Sequence, residues 1–309
     1  MNSRRQARLA RWVLLLAAVA LVVPAPSVRP ATISLTTIGT AKAVDWDDGV
    51  LWVLVAGSDA RPGTSITTGR TDAIQLVGIN WSRGSAVSIG VPRDSYVELG
   101  GGIGRDRINV ALSDATNDDG PEVLSDAVED LVGITPDLVL VTGFEGFTSM
   151  VGAIGEVRVD SPVAFPDNVH DLVVRRGSNT FDADEALSFA RIRKDLVGDD
   201  LARSANHQRL MVGVLEQLRR REDQAGFIES ATRVAIGGLE TDLGPGDLYR
   251  FAQAITTIDP SRTTACVIGG VPETTEFGAE VLIPDTEQAQ ALGADAEEDG
   301  RLQGGCREG

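Results

Sequence analysis

The stretch Thr71-Asp72-Ala73-Ile74-Gln75-Leu76-Val77-Gly78-Ile79, then Asn80-Trp81-Ser82-Arg83-Gly84, then Ser85-Ala86-Val87-Ser88-Ile89-Gly90-Val91-Pro92-Arg93-Asp94 reads as two strands joined by a turn. Apolar runs bounded by turn residues predict strands at Ala73 to Ile79 and Ser85 to Val91 and an antiparallel hairpin closed at residues 80–84. Side chains alternate along a strand, so Val87, Ile89 and Val91 share a face, and continuing that parity puts Arg93 on the same side. Ile74 and Leu76 likewise share a face with Asp72. The hairpin therefore sets Asp72 and Arg93 almost opposite one another at its open end, to within about one residue of register. A cross-strand ion pair contributing about 0.2–1 kcal/mol is one reading of that pair. An anion site at the edge of an apolar surface is the other.

Working outward, Leu51 to Ala56 reads as a buried strand, Pro121 to Val132 as a helix closed by Gly133, and Leu138 to Thr142 as a strand. A helix is predicted over Phe144 to Ile154, a strand over Glu156 to Asp160, and a helix over Asp182 to Arg193. A long amphipathic helix comes next, over Asp200 to Arg221. Gln224 to Ile236 and Pro245 to Ile258 read as helices, Thr263 to Ile268 and Glu280 to Ile283 as strands. The fold class is mixed α/β. The acidic, glycine-rich segment Gly293 to Gly309 reads as a loose tail.

Asp200, Arg203 and His207 are three and four residues apart, so they form one helical stripe, which continues as Leu210, Val214 and Leu218. That is either a core helix whose first turn reaches solvent, or a track for a ligand with a charged head and a hydrocarbon tail. Arginine forks match phosphate oxygens, and neighbouring carboxylates suit a hard divalent cation, so the groups around residues 59–94 and 191–203 read as a pyrophosphate grip.

The chain has 309 residues and a formal net charge of −17. The length suits one large domain with at most a small appendage. The charge argues against nucleic-acid binding, because a negative surface repels the phosphate backbone. Arg4, Arg5, Arg8 and Arg11 precede the apolar run Trp12 to Val23. Positive-inside charge keeps these arginines cytosolic and exports the chain beyond the apolar run. The run is short against the ~20 residues of a spanning helix and also fits a signal-peptide core. An uncleaved anchor is favoured because no clear cleavage site comes after it. The expected divisions are a basic segment and anchor at 1–30, a linker at 31–48, the main domain at 49–285 and a C-terminal helix and acidic tail at 286–309. The two cysteines, Cys266 and Cys306, are expected to be bridged in an oxidising compartment, with two free thiols as the alternative.

Taken together, Gly57-x-Asp59-x-Arg61, Arg70-Thr71-Asp72, Pro92-Arg93-Asp94, Arg107-Ile108-Asn109, Gly133-Ile134, Phe144-Glu145-Gly146-Phe147, Arg191-x-Arg193 and Asp200-Leu201-x-Arg203 resemble, in order, the LytR-CpsA-Psr proteins over roughly residues 50 to 220. The resemblance implies a single domain with a mixed, partly antiparallel sheet flanked by helices and an apolar lipid pocket. It implies an extracytoplasmic, membrane-anchored phosphotransferase that moves an anionic glycopolymer from a polyprenyl-pyrophosphate carrier onto a peptidoglycan hydroxyl. Alternatives are a polyprenyl-pyrophosphate carrier or sensor, or a lipid pyrophosphatase. On this resemblance Asp59 and Asp72 match magnesium-linked aspartates. Arg93, Arg191 and Arg193 match pyrophosphate ligands, Arg203 a further phosphate contact, and Arg61 and Arg70 lie near the phosphates. Asp72, Arg93 and Arg193 are the implied catalytic residues, with Asp94 bracing Arg93 and Asp200 capping its helix. The departure is Asn206-His207-Gln208 where many relatives have Arg-Gln-Gln, so His207 stands at a phosphate-contacting glutamine.

Overall fold

The computed structural model describes residues 31–38, 49–61, 63–115, 119–167, 172–192, 199–303 and 306. The expected anchor and Arg193 lie outside the described residues. In chain order the strands and helices are β1 (Ile33–Thr37), β2 (Leu51–Ser58), β3 (Thr71–Asn80), β4 (Ser85–Gly90), β5 (Tyr96–Leu99), β6 (Gly104–Arg107), α1 (Ala111–Asp114), α2 (Gly120–Val132), β7 (Leu138–Thr142), α3 (Phe144–Ile154), β8 (Val157–Ser161), β9 (Phe165–Asp167), β10 (Leu172–Val174) and β11 (Gly177–Phe181). Then come α4 (Ala183–Arg191), α5 (Asp199–Arg221), α6 (Phe227–Gly237), β12 (Leu239–Thr241), α7 (Pro245–Thr257), β13 (Thr263–Val267), β14 (Gly270–Thr274), β15 (Glu280–Pro284) and α8 (Thr286–Ala296).

Seven strands form one mixed sheet in the order β12-β1-β7-β2-β3-β4-β13. The β3–β4 hairpin pairs Gln75 with Gly90 and Asn80 with Ser85, and Val91 N–H extends the ladder to Ile74 O. Continuing this register sets Asp72 opposite Arg93. The register is locked by burial: Ile74, Leu76, Val87, Ile89 and Val91 enter one core with α2 and α8. A slip of one residue would turn those side chains out of the core, each losing about 1.5–3 kcal/mol of burial.

The opposite sheet face, with Leu51, Val53, Ile79 and Leu138, is covered by α5 and α7. This layer is looser, since Val55, Val77 and Leu140 of the sheet and Leu215, Leu248, Phe251 and Ile255 of the helices are only partly buried. A third core joins α3, α4, α5 and the β8–β11 strands. There Leu210, Val214 and Leu218 pack with Phe147, Phe189 and Phe227. The apolar track read from the α5 stripe is thus filled by core side chains.

Two expectations need correction. Ile33–Thr37, placed in the linker 31–48, is a sheet strand between β12 and β7. Gly293 to Gly309 is also no loose tail through its described part. Asp285 caps α8 by accepting from Gln288 N–H at 2.9 Å, and Leu292, Ala296 and Leu302 are buried in the main core. Gly293 is there for close approach, since a Cβ would collide with Val132 O of α2. The glycine that helped suggest looseness lets α8 and α2 touch.

Candidate functional site

The site lies where the open end of the β3–β4 hairpin meets the start of α5. Pro92 ends the ladder, and the chain turns through Arg93 to Ser95. This turn is braced by Asn109 N–H to Arg93 O at 3.1 Å, Ile108 N–H to Ser95 O at 2.8 Å and Leu282 N–H to Asp94 O at 2.8 Å. The Arg107-Ile108-Asn109 motif therefore supports Arg93 through the backbone. Arg93 Nη1 is paired with Asp72 Oδ1, while its Nε lies 3.6 Å from Asp94 and 3.8 Å from Asp200. Burial works against the Arg93 charge, but the carboxylates of Asp72, Asp94 and Asp200 outweigh it and raise its pKa. Arg203, 4% exposed, reaches Asp200 Oδ1 at 2.7 Å. Among the described residues Arg93 is thus shared by three aspartates, one of which also pairs with Arg203. Arg93 Nε is buried and donates no hydrogen bond within the described residues, and it stays in ionic reach of Asp94 and Asp200.

The other expected residues stand on the loop between β2 and β3 and at the end of α4. Asp59 and Arg70 clasp the loop between β2 and β3: Asp59 N–H donates to Arg70 O at 2.9 Å, and Arg70 N–H to Asp59 Oδ1 at 2.7 Å. The side chains of Arg61 and Arg70 are exposed. Arg191 ends α4, whose start is fixed by a reciprocal cap between Asp182 and Glu185. Its guanidinium lies 4.6 Å from the centroid of the Phe144 ring, a contact that joins the Phe144 and Arg191 motifs in space.

His207 is buried. Its Nε2 lies 2.8 Å from Ala190 O, and since a carbonyl only accepts, Nε2 carries the proton. Nδ1 has no hydrogen-bond partner among the described residues. Burial pushes the imidazole down from 6.5 to about 4, the Ala190 carbonyl opposes this and Arg203 adds to it, so His207 is neutral near pH 7. A neutral imidazole with Nε2–H committed to Ala190 offers only a lone pair, which does not donate to a phosphate. In this state it ties α5 to the end of α4.

The depressed pKa fixes a pH dependence. Between about 4 and 6.5 the unfolded chain binds a proton that the folded chain does not, so stability is full above about 6.5 and falls as pH drops towards 4, by about 3 kcal/mol. His207→Gln should flatten that slope in urea melts at pH 7 and pH 4.5. An unchanged slope would assign the loss to other groups.

A second set of residues was not singled out from the sequence. Gln75 Nε2 donates to Ser204 Oγ at 2.8 Å, Ser88 Oγ donates to Gln75 Oε1 at 2.9 Å, and Gln208 Nε2 donates to Cys266 O at 2.8 Å. This buried polar network pins α5 over β3, β4 and β13 and so fixes where Asp200 and Arg203 stand. The available signal was Gln75, a polar residue between Ile74 and Leu76 in a buried strand. Close approach here depends on Gly90, where a Cβ would strike Ser204 Oγ. Gly90→Ala should cost about 1–3 kcal/mol, read as a lower urea midpoint.

This combination, a mixed α/β/α sheet with an arginine and aspartate cluster at one end, defines the class. The model of the LytR_cpsA_psr family matches residues 32–298, and the chain belongs to that family. It is 33% identical over 163 residues to the probable cell wall biosynthesis protein LcpB of Corynebacterium glutamicum, covering 49% of this chain and 38% of that protein. It is 30% identical over 166 residues to the polyisoprenyl-teichoic acid–peptidoglycan teichoic acid transferase TagU of Halalkalibacterium halodurans, covering 53% of this chain and 52% of that one. The match thus spans about half the length of these relatives or less. The fold is shared with the LytR-CPS2A-psr family protein YwtF (TagT) with bound octaprenyl pyrophosphate lipid, at a TM-score of 0.62 and 20% identity over 84% of this chain and 95% of that one.

Proposed function

We propose that this protein is an exported phosphotransferase that moves an anionic glycopolymer from a polyprenyl-pyrophosphate carrier to a hydroxyl of peptidoglycan. The observation that carries the reading is the Arg93 and Arg203 cluster with Asp72, Asp94 and Asp200, at one end of a sheet whose second face is covered by a partly buried apolar layer. A pyrophosphate head would meet the arginines, and Val55, Val77, Leu140 and the α7 side chains would receive the prenyl tail. The transferase name of the TagU relative and the octaprenyl pyrophosphate held by the structural neighbour agree with this reading.

In the proposed reaction the acceptor hydroxyl oxygen attacks the phosphorus bearing the glycopolymer. A new P–O bond forms, the bond to the bridging oxygen breaks, and polyprenyl phosphate leaves. The hydroxyl proton passes to Asp72 or to a phosphate oxygen, with little demand for a strong base if the transition state is loose. Arg93 and Arg203 stabilise the charge that builds on the phosphate oxygens, joined by the exposed Arg61, Arg70 and Arg191 and by Arg193.

Asp72, Asp94 and Asp200 would repel a pyrophosphate placed beside them, and a cation entering with it would offset that repulsion. Among the described residues no group of three or more carboxylate, histidine or cysteine side chains is set to hold a metal alone. Magnesium is typically held by one or two carboxylates together with substrate phosphates, and the hard oxygens of Asp72 and Asp59 fit that pattern. Magnesium bound there would supply charge neutralisation at the phosphates.

Membrane attachment is part of the proposal and rests on Trp12 to Val23 behind its arginines. Among the described residues no helix is long and apolar enough to cross a membrane. Full-length protein should stay with membranes through high-salt washing, and release into the wash would remove the anchor. The reaction is tested by incubating full-length protein with magnesium and a prenyl-pyrophosphate-linked glycan, with and without peptidoglycan. Release of prenyl phosphate only when the acceptor is present supports transfer. Release by water alone indicates a pyrophosphatase, and binding without release a carrier or sensor.

A further inference from the structure

The last turn of α4 is joined to the arginine and aspartate cluster through His207. His207 stands one helical turn after Arg203 on α5, and the charges of Arg203, Asp72 and Asp200 all act on it. Its Nε2 holds Ala190 O at 2.8 Å, and the next residue is Arg191. Arg191 therefore starts out beside the cluster. The backbone around it is fixed from both sides, since Phe189 and Ile192 are buried and the Phe189 ring lies 5.1 Å from that of Phe181.

The Arg191 side chain is exposed, and among the described residues its guanidinium rests on one group, the Phe144 ring, at 4.6 Å from the centroid. No carboxylate there pairs with it, the adjoining Glu145 included. With 45 acidic residues against 28 basic ones, a surface arginine of this chain has acids in plenty to pair with. This one is placed on a ring instead.

Phe144 is itself a firm support. It is the first residue of α3, and Gly143 just before it donates its N–H to Thr32 O at 3.1 Å. Two residues on, Gly146 sits so close to the start of β1 that a Cβ would strike Thr32 O. Val151 and Ile154 bury the far end of the helix. An arginine lying over a ring face keeps its in-plane N–H groups available for phosphate oxygens. Without the ring, the side chain would spread over many rotamers and would lose that freedom when a ligand arrives.

We propose that Phe144 is a positioning residue of the pyrophosphate site, its ring holding the Arg191 guanidinium ready for a phosphate oxygen beside Arg93 and Arg203. The inference rests on the reading of that site as one for a prenyl pyrophosphate. Phe144 touches no phosphate and acts through Arg191 alone.

The test is a double-variant cycle on full-length protein, read as binding of geranylgeranyl pyrophosphate with magnesium. Arg191→Gln should weaken binding by about tenfold or more, the loss of one charge-assisted contact. Phe144→Leu keeps apolar bulk without a ring and should weaken binding by about threefold to fivefold. Phe144→Tyr keeps the ring and should bind as the wild type does. The decisive variant carries Phe144→Leu and Arg191→Gln together. It should bind no more weakly than Arg191→Gln alone, because a group acting through Arg191 then has nothing left to position. Nitrogen-15 relaxation of the Arg191 Nε–H gives a readout without ligand, ordered in wild type and mobile in Phe144→Leu. Losses that add in the double variant, wild-type affinity in Phe144→Leu, a Phe144→Tyr as weak as Phe144→Leu, or an Arg191 signal equally ordered without the ring would overturn the inference. Binding that follows the expected pattern with no transfer to peptidoglycan would count against the transferase reading alone. A wild-type protein that binds no prenyl pyrophosphate would overturn both.

Discussion

Arg93→Ala is expected to cut turnover of a prenyl pyrophosphate substrate by about tenfold to a hundredfold. The guanidinium makes charge-assisted contacts that strengthen as negative charge builds on the transferring phosphate, typically about 1.5–3 kcal/mol each. Its removal also leaves Asp72, Asp94 and Asp200 facing one another without their shared counter-ion. Breaking a partly buried ion pair on one side can itself cost about 3–5 kcal/mol, so the turnover must be read beside a folding control. Arg93→Lys separates the two effects. It restores the positive charge among the carboxylates, and with it most of the stability. It lacks the planar fork, so turnover should stay at least tenfold down. Wild-type turnover in folded Arg93→Lys would show that the fork is not used on phosphate.

Reduction of the Cys266–Cys306 bridge should produce the largest loss of stability. The structure joins these cysteines across 40 residues of sequence. Opening a loop of that length returns about 4 kcal/mol of chain entropy to the unfolded state. The bridge ties the C-terminal segment to β13, with help from Leu302 N–H on Thr264 Oγ1 at 3.2 Å and Leu302 in the main core. Cys266→Ser with Cys306→Ser should therefore lower the urea midpoint and expose the segment after α8 to protease. Because the carbonyl of Cys266 also receives Gln208, a modest loss of activity should accompany the loss of stability. A double variant as stable as the wild type would mean that the packing of Leu302 and α8 suffices.

What could be read in the sequence was what depends on local pattern. The β3–β4 hairpin was legible because burial on one face and a five-residue polar turn leave a single register, and that register already set Asp72 against Arg93. The long α5 was legible from its period. The meaning of its stripe was not, because Leu210, Val214 and Leu218 look the same whether they line a pocket or meet Phe147 and Phe189 across the chain. β1 was missed because Ile33–Thr37 is short and rich in threonine and is made a strand by β7 and β12, more than 100 residues away. α8 was cut short at Gly293 because a glycine that permits close packing has no local mark to distinguish it from one that loosens a tail. At the site, the acids and arginines were readable by type. The sharing of Arg93 among three aspartates, the lone pair of His207 and the Gln75–Gln208 network required the fold.

The central claim is that one cluster of arginines and aspartates handles a lipid-linked pyrophosphate for transfer. The most direct measurement tracks a prenyl-pyrophosphate-linked glycan labelled in the phosphorus next to the sugar, incubated with full-length protein, magnesium and peptidoglycan. The account predicts that the label appears in a phosphodiester between glycan and peptidoglycan, that prenyl monophosphate is released in equal amount, and that both products fall together in Arg93→Lys. Label left on intact lipid, or released as free glycan phosphate with no phosphodiester formed, would contradict it.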